Sequence, residues 1–242
     1  LRERPLLLVI LVVGFLLRVS GIFWGLPSDP LKGTYHPDEW SFFLGAVGFP
    51  RHVLTNTYLV YPTFFTYSLG IISLPLRLLF DPSSANFHYV VAVMGRLFSV
   101  VAGTGAILLT YFLARDIYHD ERRAILASVL LAVSLYHSHN SSFATTDVLT
   151  SFLLLLFFIL LRRAFLSPQA TYSYVLTGVA LGLLVGTKYT GGLAVVAIIV
   201  MYLYTLIGKP PSEQGGTGVY KGRWHLNLCL CGFIAVIVFL IT

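Results

Sequence analysis

The sequence predicts an all-α, polytopic integral membrane protein with about seven transmembrane helices and further juxtamembrane helices at the outer face. Hydrophobic residues make up 57% of the 242 residues, charged residues only 11%, and the mean hydropathy is +0.82. A soluble domain carries about 25% charged residues, so this composition excludes a soluble enzyme, a disordered chain and a basic nucleic-acid-binding protein. The chain also contains a series of apolar stretches that approach the ~20 residues of a membrane-spanning helix.

The first apolar stretch runs from about residue 5 to residue 24 and follows Arg2 and Arg4. A signal peptide also begins with basic residues, but its apolar region is shorter and is followed by small residues at a cleavage site. We therefore interpret this stretch as an uncleaved first span. Six further spans are expected at residues 92–114, 124–138, 148–161, 173–187, 191–207 and 226–242.

The segment 58–80 is apolar as well, but Pro62, Pro75 and Arg77 interrupt it. Lys and Arg are enriched in cytoplasmic loops. If 58–80 crossed the membrane, the basic cluster at residues 115–123 would lie outside. We therefore expect 58–80 to be a juxtamembrane or re-entrant element at the outer face, with the N-terminus of the chain in the cytoplasm.

The whole chain, residues 1–242, is expected to form one transmembrane module. Its outer loop and juxtamembrane helices occupy about residues 27–90. The chain lacks an initiator Met and stops inside an apolar stretch. We interpret it as the N-terminal part of a longer protein.

The first candidate site is the run YHPDEW at residues 35–40, which is expected in the first outer loop. An adjacent pair of acids, Asp38 and Glu39, is unusual in a chain with only ten acidic residues. A carboxylate here suits a general base that removes a proton from a hydroxyl. Pro37 followed by two acids is equally typical of the first turn of a helix, where the macrodipole favours negative charge. The local sequence leaves both interpretations open.

Three basic residues, Arg18, Arg96 and Lys188, lie inside or beside apolar stretches. A charge there is costly, so each is expected to face a cavity, a partner or the lipid headgroups. Guanidinium groups bind phosphate oxygens in a bidentate manner, so a phosphate at the interface is a natural partner for Arg96, expected one turn inside the outer end of its helix. A snorkelling side chain or a structural ion pair is the alternative for each residue.

Asp147 is expected at the outer start of the span 148–161. With Thr145 and Thr146 it matches an N-terminal helix cap, but the same position faces the expected outer cavity. Oxygen ligands suit Mg²⁺ or Mn²⁺, so a divalent cation is a candidate cofactor, although two acids from separate loops do not define a metal site. His137 and His139 lack a third ligand at metal-binding spacing and are interpreted as interfacial residues.

The order of these motifs resembles a known family. An apolar helix is followed by HPDEW, VYPTFFTY, GRLFSVVAGTG, SSFATTDVLTSF and GLLVGTKYTGG over about residues 6–207. This order is similar to that of the polyprenyl-phosphate-sugar-dependent glycosyltransferases of the GT-C class, in particular the protein O-mannosyltransferases and the aminoarabinose transferases that modify lipid A. One departure is Thr63, where family members commonly have a second proline.

The resemblance implies roles for individual residues. Asp38 matches the catalytic base of the family's first outer loop, and Arg96 matches an arginine near the lipid phosphate. Asp147 matches an acid at the outer start of the fourth span, and Lys188 belongs to a recurrent Lys-Tyr pair. The residues expected to bind the donor or the substrate are Glu39, Arg96, Asp147, Lys188, Arg18 and His36.

The implied function is the inverting transfer of a sugar from polyprenyl phosphate to a hydroxyl of an acceptor protein, lipid or glycan. The site is expected at the outer or luminal face of the plasma membrane in a prokaryote, or of the endoplasmic reticulum in a eukaryote. The expected partners are the lipid-linked sugar and membrane lipids, and no nucleic acid. The alternative is a non-catalytic scaffold that binds other membrane subunits. A transporter fits less well, because the ionisable residues gather at one face rather than near the midplane.

Overall fold

The computed structural model describes residues 4–50, 61–207 and 220–242. All regular secondary structure in these ranges is helical, which confirms the all-α class. By backbone contacts the chain divides into two compact units, Leu1–Phe152 and Leu153–Thr242.

The first unit is a cluster of helices around one long central helix. The helices are α1 (Arg4–Val19), α2 (Pro37–Gly48), α3 (Phe64–Ser73), α4 (Ala85–Tyr118), α5 (Glu121–Ala132), α6 (Leu135–Ser141) and the beginning of α7 (Thr146–Leu166). Helices α1, α2, α3, α5 and α6 all pack against α4. Short 3-10 turns lie at Pro30–Lys32 and Leu74–Leu78.

The central helix α4 is longer at both ends than the predicted span 92–114. It begins after Ser84, whose hydroxyl accepts the N–H of Phe87 at 3.2 Å, and it ends where His119 adopts the left-handed conformation. The expectation that Arg96 lies one turn inside its helix is therefore wrong. At 3.6 residues per turn, Arg96 lies about three turns from the start of α4.

The predicted span 124–138 is wrong as a single helix, because it is divided between α5 and α6. Ser134 caps the second of these helices through its hydroxyl. The carbonyls of Leu131 and Ala132 at the end of α5 accept hydrogen bonds from the guanidinium of Arg18, at 3.1 and 3.2 Å. A cation suits this place, since the last carbonyls of a helix lack intrahelical partners and carry the negative end of its dipole.

The segment 58–80 contains a short helix rather than a continuous span; its first three residues lie outside the described ranges. With ten residues, α3 is about 15 Å long, half the thickness of the hydrocarbon core of a bilayer. The 3-10 turn at Leu74–Leu78 follows it directly, and Arg77 in this turn donates to the carbonyl of Val47 at 2.8 Å. This geometry fits the predicted juxtamembrane element.

The second unit contains the end of α7, then α8 (Thr171–Thr187), a 3-10 turn (Tyr189–Ala194), α9 (Val195–Ile207) and α10 (Tyr220–Ile241). Residues 208–219 lie outside the described ranges, and α10 begins earlier than the predicted span 226–242. Helices α8 and α10 approach closely where α8 presents Gly178 and Gly182. A Cβ on these residues would lie 2.4 Å from the carbonyl oxygen of Cys231 and 2.7 Å from that of Ala235.

Three helices within the described ranges are long and apolar enough to cross a membrane. They are Ala85–Tyr118, Thr146–Leu166 and Trp224–Ile241, and the shorter apolar helices are Pro5–Val19, Phe64–Leu78, Thr171–Thr187 and Tyr189–Tyr204. These helices support an integral membrane protein. The expected number of seven spans stays a prediction.

The chain between α1 and α2 is fastened to the start of α4 through Asp29. Its carboxylate accepts the N–H of Leu31 at 3.2 Å and lies 3.0 Å from Nδ1 of His88, whose Nε2 lies 3.0 Å from the carbonyl of Pro82. Lys32 adds a looser ion pair at 3.8 Å. The hydrogen bond with His88 is the main cause that lowers the pKa of Asp29 below its ordinary value of 3.8.

We predict that Gly178→Ala and Gly182→Ala each lower the thermal unfolding temperature in detergent. The added methyl group collides with backbone oxygens that cannot move independently, and overpacking of this kind costs about 1–3 kcal/mol. Gly232→Ala on α10 is the matched control, because no atom lies within 4 Å of the added Cβ. Equal unfolding temperatures for all three variants would show that the two helices do not pack this closely.

We predict that Asp29 stabilises the fold in a pH-dependent way. Because its folded pKa is lowered, the contribution is complete above the unfolded pKa near 4 and is lost as pH falls through the folded pKa. Asp29→Asn keeps a capping oxygen for Leu31 but has no carboxyl group. As the pH is lowered from about 5 to below the ordinary Asp pKa of about 4, we expect the unfolding temperature of this variant to fall less than that of wild type. Lys32→Gln is the control, since Lys32 is the weakest of the causes that lower this pKa. If the unfolding temperatures of wild type and Asp29→Asn fall equally at low pH, Asp29 is not the source of the pH dependence.

Candidate functional site

Pro37 begins helix α2, as one of the two open interpretations of this run has it, and the two adjacent carboxylates that follow lie in different surroundings. Asp38 and Glu39 occupy the first turn of α2. His36 caps this turn, with its Nδ1 accepting the N–H of Asp38 at 3.4 Å. Asp38 is half-buried, whereas Glu39 is completely buried.

Glu39 forms a buried bidentate ion pair with Arg96 of α4. The distances are 2.8 Å from Nε to Oε1 and 2.7 Å from Nη2 to Oε2, and both side chains have 0% of their surface exposed. Oε1 of Glu39 also accepts the N–H of Ala144 at 2.7 Å. The pair therefore joins α2, α4 and the segment that precedes α7.

The third nitrogen of Arg96 is engaged as well. Nη1 donates to the carbonyls of Ile22 and Trp24, both at 2.7 Å, and the guanidinium carbon lies 5.2 Å from the centroid of the Phe143 ring. Of the interpretations that the sequence leaves open for Arg96, the structure contains the ion pair. Contact between Arg96 and a lipid phosphate stays a prediction.

The carboxylate of Asp38 is oriented by Tyr61. The Tyr61 hydroxyl donates to Oδ2 of Asp38 at 3.2 Å, and its ring packs 5.4 Å from that of Phe42 in the core of α2. Tyr61 is not among the site residues predicted from the sequence. The available indication was its position directly before Pro62 in the motif VYPTFFTY, one of the motifs on which the family resemblance rests.

The rings of two histidines pack against the ring of Phe143. The rings of His36 and His139 each lie 5.1 Å from the Phe143 ring, and Phe143 is 2% exposed. His139 belongs to α6 rather than to the end of a 124–138 helix. Phe143 itself carries no sequence signal beyond its place in the SSFATTD motif.

Arg18 is completely buried, and its guanidinium forms hydrogen bonds inside the first unit. Besides the α5 carbonyls described above, Nη1 donates to the carbonyl of Gly14 at 2.8 Å, and Nη2 lies 2.9 Å from Nδ1 of His137. Because a guanidinium only donates, Nδ1 of His137 is the acceptor. The expected role of Arg18 in donor binding stays a prediction, and its observed partners are structural.

Asp147 lies in the first turn of α7 and is half-buried. The expected cap from Thr145 is not formed, since its buried hydroxyl has no partner in the part of the chain that the structure describes. Lys188 belongs to the second unit, where it is half-buried in extended backbone between α8 and the Tyr189–Ala194 turn. Donor or substrate binding by Asp147 and Lys188 stays a prediction.

A metal site is not defined by these side chains. Across residues 4–50, 61–207 and 220–242, no three His, Cys, Asp or Glu side chains come together in a group that could hold a metal ion. The expectation of Mg²⁺ or Mn²⁺ therefore stays a prediction without a specific ligand set.

A comparison with protein families gives a match over most of the chain. The family model described as dolichyl-phosphate-mannose-protein mannosyltransferase matches residues 57–242, which is most of the chain. The matched range includes Tyr61, Arg96, Asp147 and Lys188, whereas Asp38 precedes it. A comparison with curated proteins gives no match. The family match confirms the resemblance drawn from the order of the motifs.

We predict that breaking the buried ion pair strongly destabilises the first unit. Glu39→Ala leaves Arg96 buried without a counter-charge, and such changes cost about 3–5 kcal/mol. The double variant Glu39→Met/Arg96→Met is expected to recover part of this loss, because it removes the unpaired buried charge but leaves the N–H of Ala144 and the carbonyls of Ile22 and Trp24 without these partners. Thermal unfolding in detergent measures both effects.

The control for this prediction is Arg123→Gln. Arg123 pairs with Asp120 at 3.4 Å, but 64% of its side chain is exposed, and exposed pairs contribute about 0–1 kcal/mol. If Glu39→Ala unfolds at the same temperature as Arg123→Gln, the Glu39–Arg96 pair is not the buried interaction described above.

Proposed function

The chain belongs to the dolichyl-phosphate-mannose-protein mannosyltransferase family, and from this premise we propose that Asp38 is the catalytic base of an inverting sugar transfer. Membership makes the chain a membrane glycosyltransferase of the mannosyltransferase type, with a polyprenyl-phosphate-linked sugar as donor and a protein as acceptor. The observation that carries the proposal is the half-buried carboxylate of Asp38 on a helix turn whose next residue is anchored by a buried ion pair.

In the proposed reaction, Asp38 removes the proton of an acceptor hydroxyl while the hydroxyl oxygen attacks the anomeric carbon of the sugar. The bond from this carbon to the phosphate oxygen breaks, and polyprenyl phosphate departs with the electron pair. Attack opposite to the leaving group inverts the configuration. Tyr61 binds Oδ2 of Asp38, so Oδ1 is the oxygen assigned to the acceptor. A positioned base contributes about 10²–10⁴ in rate.

Glu39 and Arg96 act in this proposal as positioning residues. Their ion pair holds the first turn of α2 against α4, and thereby holds Asp38 at the surface of the first unit. Asp147 is proposed to contact the donor or the substrate, and a donor or substrate contact of Lys188 is proposed separately, for the second unit alone. Their support is their place inside the matched family range.

We also propose a topology with the N-terminus in the cytoplasm and the site at the outer or luminal face. The end of α4 that is remote from Arg96 carries Arg115, and Arg122 and Arg123 follow it. Basic residues are favoured on the cytoplasmic side. With Phe64–Leu78 kept at the outer face, the other apolar helices account for six crossings, and a seventh crossing requires α5 and α6 together. Asp38 then lies on the opposite side from this basic cluster.

We predict that Asp38→Asn abolishes transfer without affecting folding. The amide keeps the size of the side chain and an oxygen that accepts from Tyr61, but it is not a base, so the rate falls by at least about 10²-fold. The measurement is mannose transfer from dolichyl-phosphate mannose to a hydroxyl-bearing peptide in membranes that contain the protein. Asp81→Asn, which changes an exposed acid outside the site, is the control.

The scaffold alternative makes the opposite prediction. If Asp38→Asn and wild type transfer mannose at the same rate, Asp38 is not the base. Any transfer in those membranes then belongs to another subunit.

A further inference from the structure

His36 is an unusual residue for the cap of a helix. Ser, Thr, Asp and Asn are the preferred N-cap residues, yet the cap of α2 is the Nδ1 atom of an imidazole, which accepts the N–H of Asp38. An imidazole has a second ring nitrogen that the capping role does not use. Positions that depart from a local preference without a structural need are candidate functional positions.

The hydrogen bonds around His36 determine where its proton lies. Because Nδ1 accepts, the neutral ring carries its proton on Nε2. The backbone carbonyl of His36 accepts from the Thr34 hydroxyl at 2.7 Å and from the N–H of Glu39 at 3.2 Å. The ring rests on Phe143, which is itself buried beside Arg96. The half-buried ring is thus held in place, and Nε2–H has no partner within the described part of the chain.

The guanidinium of Arg96 packs on the same Phe143 ring as His36. It already donates to Glu39 and to the carbonyls of Ile22 and Trp24.

We propose that Nε2–H of His36 donates a hydrogen bond to a phosphate oxygen of the departing polyprenyl phosphate. The inference rests on the proposed function, in which the acceptor is deprotonated by Asp38 and the bond to the phosphate breaks. Negative charge then develops on the phosphate oxygens. A donor that is already in place stabilises this charge without reorganisation, and loss of one such donor lowers kcat by about 10²–10³-fold in well-studied cases.

The two nitrogens of His36 can be tested separately by two amides. In His36→Asn the side-chain oxygen reaches the N–H of Asp38 and keeps the cap, but nothing replaces Nε2–H. In His36→Gln the longer amide supplies an N–H close to the place of Nε2, but the cap is lost. We expect His36→Asn to unfold at the wild-type temperature and to lose transfer by at least about 10-fold. We expect His36→Gln to unfold earlier and to retain more transfer than His36→Asn.

A binding measurement identifies the ligand of Nε2. The full-length protein in detergent is titrated with dolichyl phosphate and, separately, with dolichol, which lacks the phosphate. We expect His36→Asn to bind dolichyl phosphate at least about 10-fold more weakly than wild type, as for the loss of one hydrogen bond to a charged group, and to bind dolichol equally. Equal affinities of wild type and His36→Asn for dolichyl phosphate overturn the proposal, as does wild-type transfer by His36→Asn.

Asp38→Asn separates failure of this inference from failure of the proposed function. If Asp38→Asn is inactive but His36→Asn is fully active, the assignment of His36 is wrong and that of Asp38 is supported. If Asp38→Asn is fully active, the proposed base is wrong, and the two titrations still decide whether His36 binds the phosphate.

Discussion

The buried ion pair between Glu39 and Arg96 is the constraint on which the first unit depends. Removal of two charges from water costs several kcal/mol per ion, and their attraction repays this only when the remaining polar atoms are also satisfied. Here Glu39 accepts a hydrogen bond from the N–H of Ala144, and Arg96 donates hydrogen bonds to the carbonyls of Ile22 and Trp24. The pair is therefore favourable only when four separate segments of the chain meet, so it selects one arrangement of those segments.

This constraint explains why two acids stand side by side in the sequence. Consecutive residues of a helix project about 100° apart, so α2 cannot bury both carboxylates in the same place. Glu39 faces α4 and anchors the helix, whereas Asp38 stays half-buried beside Tyr61. Glu39 therefore has a structural role, and its neighbour Asp38 has the proposed catalytic role. His36 completes the turn as its cap, so the three residues at this helix start contact three different parts of the chain: Phe143, Tyr61 and Arg96.

Much of the local structure could be predicted because it depends on neighbouring residues. Pro37 with two acids is typical of a helix start, and continuous apolar stretches indicated α7 and α8 to within about five residues at their ends. The division of 124–138 was missed because it depends on Arg18, which caps α5 from a distant part of the chain. The partner of Arg96 was missed for the same reason, since Glu39 lies 57 residues away. A charged residue in an apolar stretch indicates that it has a partner, but the packing of the helices determines which residue that partner is.

The central claim is that the Glu39–Arg96 pair positions Asp38, and does not merely stabilise the fold. The most direct test is the rate of mannose transfer by the double variant Glu39→Met/Arg96→Met, measured under conditions in which it is fully folded. The account predicts a transfer rate well below that of wild type, because two methionines cannot hold Ala144 and the carbonyls of Ile22 and Trp24 in the same register. A folded double variant with the wild-type transfer rate would contradict it.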